Sequence, residues 1–138
     1  MKILTLLLLL FPLLPPAWAG EYNPILDIKD PAPKWEALPA TNGKRIAFDD
    51  FKAKQVLVVV FTCNSCPYAV DYEDRLNAFA EKYTGEGMSV ALVAINVNKV
   101  EEDLLPAMKV RATEKRFAFP YLFDETQMIA KKFGAGYT

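Results

Sequence analysis

Beyond residue 40 the chain alternates between apolar runs and amphipathic stretches. The run Val56-Leu57-Val58-Val59-Val60-Phe61 is largely β-branched and contains no polar position, the pattern of a central strand covered on both faces. From Pro67 the period becomes helical. Ala69, Tyr72, Leu76, Phe79, Ala80 and Tyr83 share one face, while Asp71, Glu73, Asp74, Arg75, Asn77, Glu81 and Lys82 take the other. Proline is tolerated at such a start because first-turn amides have no helical partner, and Gly85 and Gly87 end the segment. Residues 89–95 form a second buried-strand run closing on Asn96-Val97-Asn98. A helix is predicted over 106–117 with Ala107, Met108 and Ala112 inward, then a short strand at 120–123. A last helix at 127–133 is stopped by Gly134 in the C-terminal capping role.

Before these elements, residues 20–40 carry Pro24, Pro31, Pro33 and Pro39 without a sustained period, so they read as an extended lead-in. Thr41-Asn42-Gly43-Lys44 follows, and its Asn-Gly pair predicts a small hairpin leading into Arg45-Ile46-Ala47-Phe48. The order after the hairpin is β-α-β-α-β-α. Long apolar strands alternating with amphipathic helices imply one α/β domain over 41–138, a sheet with helices on both faces. Right-handed crossovers then put the reactive features at the carboxyl ends of the strands.

The first nineteen residues follow a different logic. Met1-Lys2 is a basic start, residues 3–14 are an apolar run broken only by Thr5 and Pro12, and Ala17-Trp18-Ala19 is a small-x-small site. Those are the three parts of a secretory signal, with cleavage expected after Ala19. The run falls short of the ~20 residues a spanning helix needs, so no stable membrane insertion is expected after cleavage. The expected location is outside the cytoplasm, periplasmic or secreted.

Composition removes several chemistries. The 138 residues include two cysteines and no histidine, which excludes His-based triads and a four-ligand structural zinc site. No metal or cofactor is expected. Sixteen basic residues oppose seventeen acidic ones for a net charge of −1. No like-charge block reads as a nucleic-acid arm. Lys109, Arg111, Lys115 and Arg116 are interrupted by Glu114 and read as a solvated helix face.

Chemistry concentrates at Cys63-Asn64-Ser65-Cys66-Pro67, where the first strand passes into the first helix. A thiolate there meets unpaired backbone amides and the positive end of the helix dipole, both of which stabilise the anion. The spacing brings the second sulfur within bonding reach across one turn, so a mixed disulfide on Cys63 is resolved by Cys66. A static bridge is the alternative in an exported protein. Chain entropy gives it roughly 2 kcal/mol for a loop of about four residues, against ~3 for fifteen, which favours redox use.

The stretch Phe61-Thr62-Cys63-Asn64-Ser65-Cys66-Pro67-Tyr68, with Glu73-Asp74-Arg75-Leu76, Phe119-Pro120-Tyr121-Leu122-Phe123-Asp124-Glu125-Thr126 and the final Gly134-Ala135-Gly136-Tyr137-Thr138, resembles the thioredoxin superfamily. More closely it resembles the exported peroxiredoxin-like redoxins related to AhpC/TSA. The resemblance implies a thioredoxin-like fold with a central mixed sheet. It also implies a redox-active Cys63–Cys66 pair, protein thiols or disulfides as partners, and an external electron donor or acceptor.

Two assignments of the nucleophile stay open. Likeness to a dithiol makes Cys63 the attacking sulfur and Cys66 the resolving one. Likeness to true peroxiredoxins aligns Cys66 with the peroxidatic cysteine and makes peroxide the substrate. Threonine or serine is normal three residues before that cysteine and proline seven before, where this chain has Cys63 and Val59. Thioredoxins also carry a buried carboxylate on the strand before the motif, and residues 56–61 hold none. Glu73 and Asp74 are expected on the solvated face, and Asn96 and Asn98 as turn residues. The stretch ending at Thr138 continues, in the resembled family, into a cis-proline, further strands and a helix, so the record is expected to lack these last elements.

Overall fold

The computed structural model describes residues 23–136. The expected leader, 1–19, lies outside the described residues. Strands β3 (Val56–Phe61), β4 (Val90–Asn96) and β5 (Tyr121–Phe123) form a parallel sheet in the order β3-β4-β5. Val56 pairs with Val90 and Phe61 with Ile95 on one side of β4, while Ala94 pairs with Tyr121 on the other. The two strands of the predicted hairpin are β1 (Leu38–Pro39) and β2 (Arg45–Ile46), antiparallel around Gly43, whose φ of 81° is open to glycine without strain. The hairpin is tied to the main sheet by an antiparallel bridge from Ala40 to Leu122 and by the Thr41 amide donating to the Tyr121 carbonyl at 2.9 Å.

Helices α1 (Pro67–Tyr83) and α2 (Leu105–Glu114) cover one sheet face and α3 (Met128–Phe133) the other. Alternation along the strands divides the core accordingly. Val93, Ile95 and Leu122 point toward α3, while Leu92, Ala94, Tyr121 and Phe123 pack with Met108 and Ala80 beneath α1 and α2.

Several expectations are corrected in position. Among the described residues the middle strand of the three is β4, buried from Ala91 onward with a named strand on each side, whereas β3 pairs only with β4 and is half-buried along most of its length. Helix α2 begins at Leu105 and ends at Glu114, three residues before the expected limit. Arg116 takes a positive φ of 53°, and the Phe117 amide donates to the Ala112 carbonyl. That turn delivers Phe117 to a stack on Phe119, with ring centroids 4.8 Å apart. The lead-in is extended, yet its Trp35 is buried, edge-on to Phe48 at 5.1 Å and beside Phe51 and Phe133. Its Asn23 amide donates to the Phe133 carbonyl at 2.9 Å.

The inward face of α1 keeps Ala69, Leu76, Phe79 and Ala80 as expected but differs at three positions. Tyr72 and Tyr83 are 55% and 43% exposed, Phe79 is half-buried, and Glu73 is buried at 4%. A carboxylate enters because α2 supplies its partner. Arg111 donates from Nε and Nη2 to the two Glu73 oxygens, each at 2.8 Å, and Lys115 Nζ lies 3.5 Å away. The expected solvated basic face therefore keeps Lys109, Lys115 and Arg116 at the surface, while Arg111 turns into a partly buried ion pair. The bonded Glu73 carboxylate holds the Arg111 guanidinium above its ordinary value.

Candidate active site

The strand-to-helix turn 62–66 stands where the parallel sheet predicts reactive groups, at the carboxyl end of β3. The Thr62 amide still donates to the Ile95 carbonyl at 3.1 Å, so the loop leaves directly from the sheet. Cys63 is next and is buried, only 1% exposed; Cys66 is partly exposed and is the N-cap residue of α1. Pro67 occupies the first turn, and the Val70 amide returns to the Cys66 carbonyl at 3.0 Å. The two sequence-predicted site residues thus share one loop but differ in access. Cys63, expected to attack, is inside, and Cys66, expected to resolve, is the sulfur nearer solvent.

The loop between them is held by an acid from the adjacent connection. Asp103, fully buried at the end of a short 3-10 turn (Glu101–Asp103), accepts the Asn64 and Ser65 backbone amides on Oδ1 at 2.5 and 3.1 Å. Its Oδ2 accepts the Ser65 hydroxyl at 2.6 Å and the Asn98 amide at 3.1 Å. All four partners are donors, the set an ionised carboxylate accepts. The Ser65 oxygen also lies 3.9 Å from Cys63 Sγ.

Asn96, buried at the end of β4, donates to the Asp103 carbonyl at 3.0 Å and accepts the Asn98 amide at 2.9 Å. Asn64 in turn donates to the Glu102 carbonyl at 2.7 Å and accepts the Tyr121 hydroxyl at 3.1 Å. Burial first, then the neighbouring Asp103 and Cys63, pushes the Tyr121 phenol well above its ordinary value.

Asp103 is the residue that reading the sequence missed. It lies outside β3, the strand on which the resemblance places a carboxylate, and reaches the cysteine loop because in a parallel pair the loops after both strands emerge side by side. The signal was available in Asn96 and Asn98 at the end of β4, followed by Glu101-Glu102-Asp103. Both asparagines, expected as turn residues, belong to the structure around the loop. A cleft of about 410 Å³ opens beside Asn98, lined by Phe61, Val97, Gln127 and Ala130 among others. Neither cysteine nor Asp103 is among its lining residues.

A family model described as the AhpC/TSA family matches residues 28–138. The chain belongs to that family. No match was found among curated proteins. Among solved structures, this member of the AhpC/TSA family is similar to an uncharacterized conserved protein from Geobacillus kaustophilus, at 36% identity and a TM-score of 0.69. It is similar to a hypothetical protein from Sinorhizobium meliloti 1021 at 33% identity and the same TM-score. Each alignment covers 75% of this chain and 56% of the other, so the chain spans a little over half the length of those relatives. A putative thioredoxin from Neisseria meningitidis shares the fold at 20% identity and a TM-score of 0.62, covering 78% of this chain and 67% of that one. The fold is thioredoxin-like.

Proposed function

We propose that this family member carries out thiol–disulfide exchange through Cys63 and Cys66, with Cys66 making first contact with the partner sulfur and Cys63 closing the internal bridge. The observation that carries the reading is the contrast in burial. A sulfur must reach its partner to attack it, and Cys63 is 1% exposed whereas Cys66 is partly open. Position supports the same order, since Cys66 is the N-cap residue of α1, at the positive end of its dipole. The amides of Asn64 and Ser65, which would otherwise serve an anion at Cys63, are taken by Asp103. The leader-like segment 1–19 supports export, which would bring the pair to disulfide-bearing partners. N-terminal sequencing of the exported product is expected to start at Gly20.

Two serine variants test the order. Against a disulfide-bonded protein substrate, Cys63→Ser is expected to accumulate a mixed disulfide on Cys66, and Cys66→Ser to form none. The reverse pattern restores Cys63 as the attacking sulfur. A pair with no turnover and a potential below about −300 mV is a structural bridge, and the exchange reading is then wrong.

The access of Cys66 also favours a second reading, peroxidase chemistry, in which peroxide oxidises Cys66 to the sulfenic acid and Cys63 condenses with it. Peroxide consumption in stopped flow separates the two. One turnover surviving in Cys63→Ser and absent in Cys66→Ser supports the peroxidase, and no saturable reaction excludes it.

A further inference from the structure

The basic stretch on α2 is only partly spent. Arg111 and Lys115 go to Glu73, but Lys109 is exposed and forms no ion pair among the described residues. It lines a cleft of about 400 Å³ shared by α2, the hairpin turn and the segment entering β5. Two of its neighbours there also have a donor left over. The Thr41 hydroxyl takes part in no hydrogen bond among the described residues, since only its amide is used, on the Tyr121 carbonyl. Asn42 spends its side-chain oxygen on the Lys44 amide at 3.1 Å, which leaves its NH₂ group to donate. Most of the remaining lining is apolar, with Phe117 half-buried and stacked on the buried Phe119, and Pro120 next to them.

The aromatic part of this lining is fixed before any ligand arrives. Arg116 holds a positive φ of 53°, and the Phe117 amide is bound by the Ala112 carbonyl at 3.0 Å. Asn77 of α1 clamps the same turn, donating to the Arg116 carbonyl at 3.2 Å and accepting the Ala118 amide at 2.7 Å. A recess already formed spares a ligand the entropy of ordering it. The cleft beside Asn98 differs in this chemistry. There the Asn98 and Gln127 side chains already donate to Asp103 and to the Val97 carbonyl, and Lys131 is the one polar side chain of that lining without a partner among the described residues.

We infer that the cleft between α2 and the hairpin turn binds a small aromatic carboxylate, its ring against Phe117 and its carboxylate held by Lys109 with Thr41 and Asn42. Three unspent donors, one of them charged, with no carboxylate in the lining, select an anion. The stacked phenyl rings beside them select a flat apolar body over a hydrated ion such as phosphate. The volume falls within the roughly 300–1,000 Å³ of small-molecule sites. The cleft lies at the amino end of β5, whereas the cysteine loop leaves the carboxyl end of β3. Binding there is therefore independent of which sulfur attacks and of whether the pair turns over.

The test is a titration of the isotope-labelled full chain with 2-naphthoate, followed through amide chemical shifts. Saturable shifts are expected at Thr41, Asn42, Thr113 and Ala118. Lys109→Gln, a surface change that leaves the fold alone, is expected to weaken binding about tenfold, and Thr41→Val severalfold. Lys132→Gln removes the same charge from α3 on the other sheet face and is expected to leave the affinity as it was. The neutral 2-naphthamide is expected to bind about tenfold more weakly than the acid. Failure to saturate, wild-type affinity in Lys109→Gln, equal weakening by Lys109→Gln and Lys132→Gln, or equal affinity for the amide overturns the inference. Shifts gathered instead at Asn98, Gln127 and Lys131 overturn it as well, since the ligand then sits in the other cleft.

Discussion

Two of the three carboxylates buried among the described residues, Glu73 and Asp103, are answered in opposite ways. Glu73, on α1 itself, meets a guanidinium in a two-pronged ion pair reinforced by Lys115. Asp103, on the connection after β4, meets four neutral donors, three of them from the loop that carries the cysteines. An ion pair between side chains of two helices fixes the helices against each other, whereas donors drawn from one loop fix the backbone of that loop around the acid. Glu73 therefore joins α1 to α2, while Asp103 shapes the loop that carries the cysteines. Burial alone does not say which part of the fold an acid holds; the partners do.

The comparison breaks most visibly if Arg111 is removed. Arg111→Met leaves Glu73 buried with only the longer Lys115 contact, so a loss of about 3 kcal/mol is expected, at the low end for a broken buried pair. Adding Glu73→Leu should recover much of that, because two apolar side chains replace an ion pair without stranding a charge. Urea denaturation of the two single variants and the double variant reads the coupling directly. Additive losses would mean that the pair contributes little.

At the other acid, Asp103→Asn keeps one acceptor for the loop amides but turns an NH₂ group toward the Asn98 amide and the Ser65 hydroxyl. A smaller loss of about 1–3 kcal/mol is expected, with greater hydrogen exchange at Asn64 and Ser65 than in the sheet. A loss equal to that of Arg111→Met would place Asp103 in the structural class with Glu73.

Both acids also mark where the sequence was hard to read. The Val56–Phe61 strand follows from its β-branched run, the start of α1 from Pro67, and the hairpin from Asn42-Gly43, all local signals. The inward face of α1 was misjudged because periodicity counts apolar positions and cannot see that Arg111, 38 residues on, makes a buried place for Glu73. Tyr72 and Tyr83 consequently stay at the surface. Asp103 escaped for the same reason, lying 39 residues from the Asn64 amide it accepts. Motif spacing did identify the two cysteines, but which one is accessible depends on how the loop is drawn down onto that distant acid.

Tyr121 lies between the two acids and offers the finest probe of their difference. Its phenol is raised above the ordinary value of 10.0 by burial first, then by Asp103 and Cys63, with a lesser effect of Glu73. A raised folded-state value means that the native protein keeps the proton while the unfolded chain loses it. The stability contribution is therefore complete below pH 10 and is lost above it, at about 1.4 kcal/mol per pH unit. Arg111, also raised but from a far higher ordinary value, begins to matter only at still higher pH. Tyr121→Phe removes the titration and the 3.1 Å bond to Asn64, so the variant should be about 1 kcal/mol less stable at neutral pH. Above pH 10 the wild type should lose that lead and fall level with the variant near pH ~11. Urea midpoints at pH 8, 10 and 11 measure the crossing, and parallel curves would show that Tyr121 feels neither its burial nor Asp103. Repeating the series with Asp103→Asn should leave the onset of the loss in place, because the unfolded-state value sets it, yet shorten slightly the pH range over which it continues, because Asp103 adds less than burial to the folded-state rise.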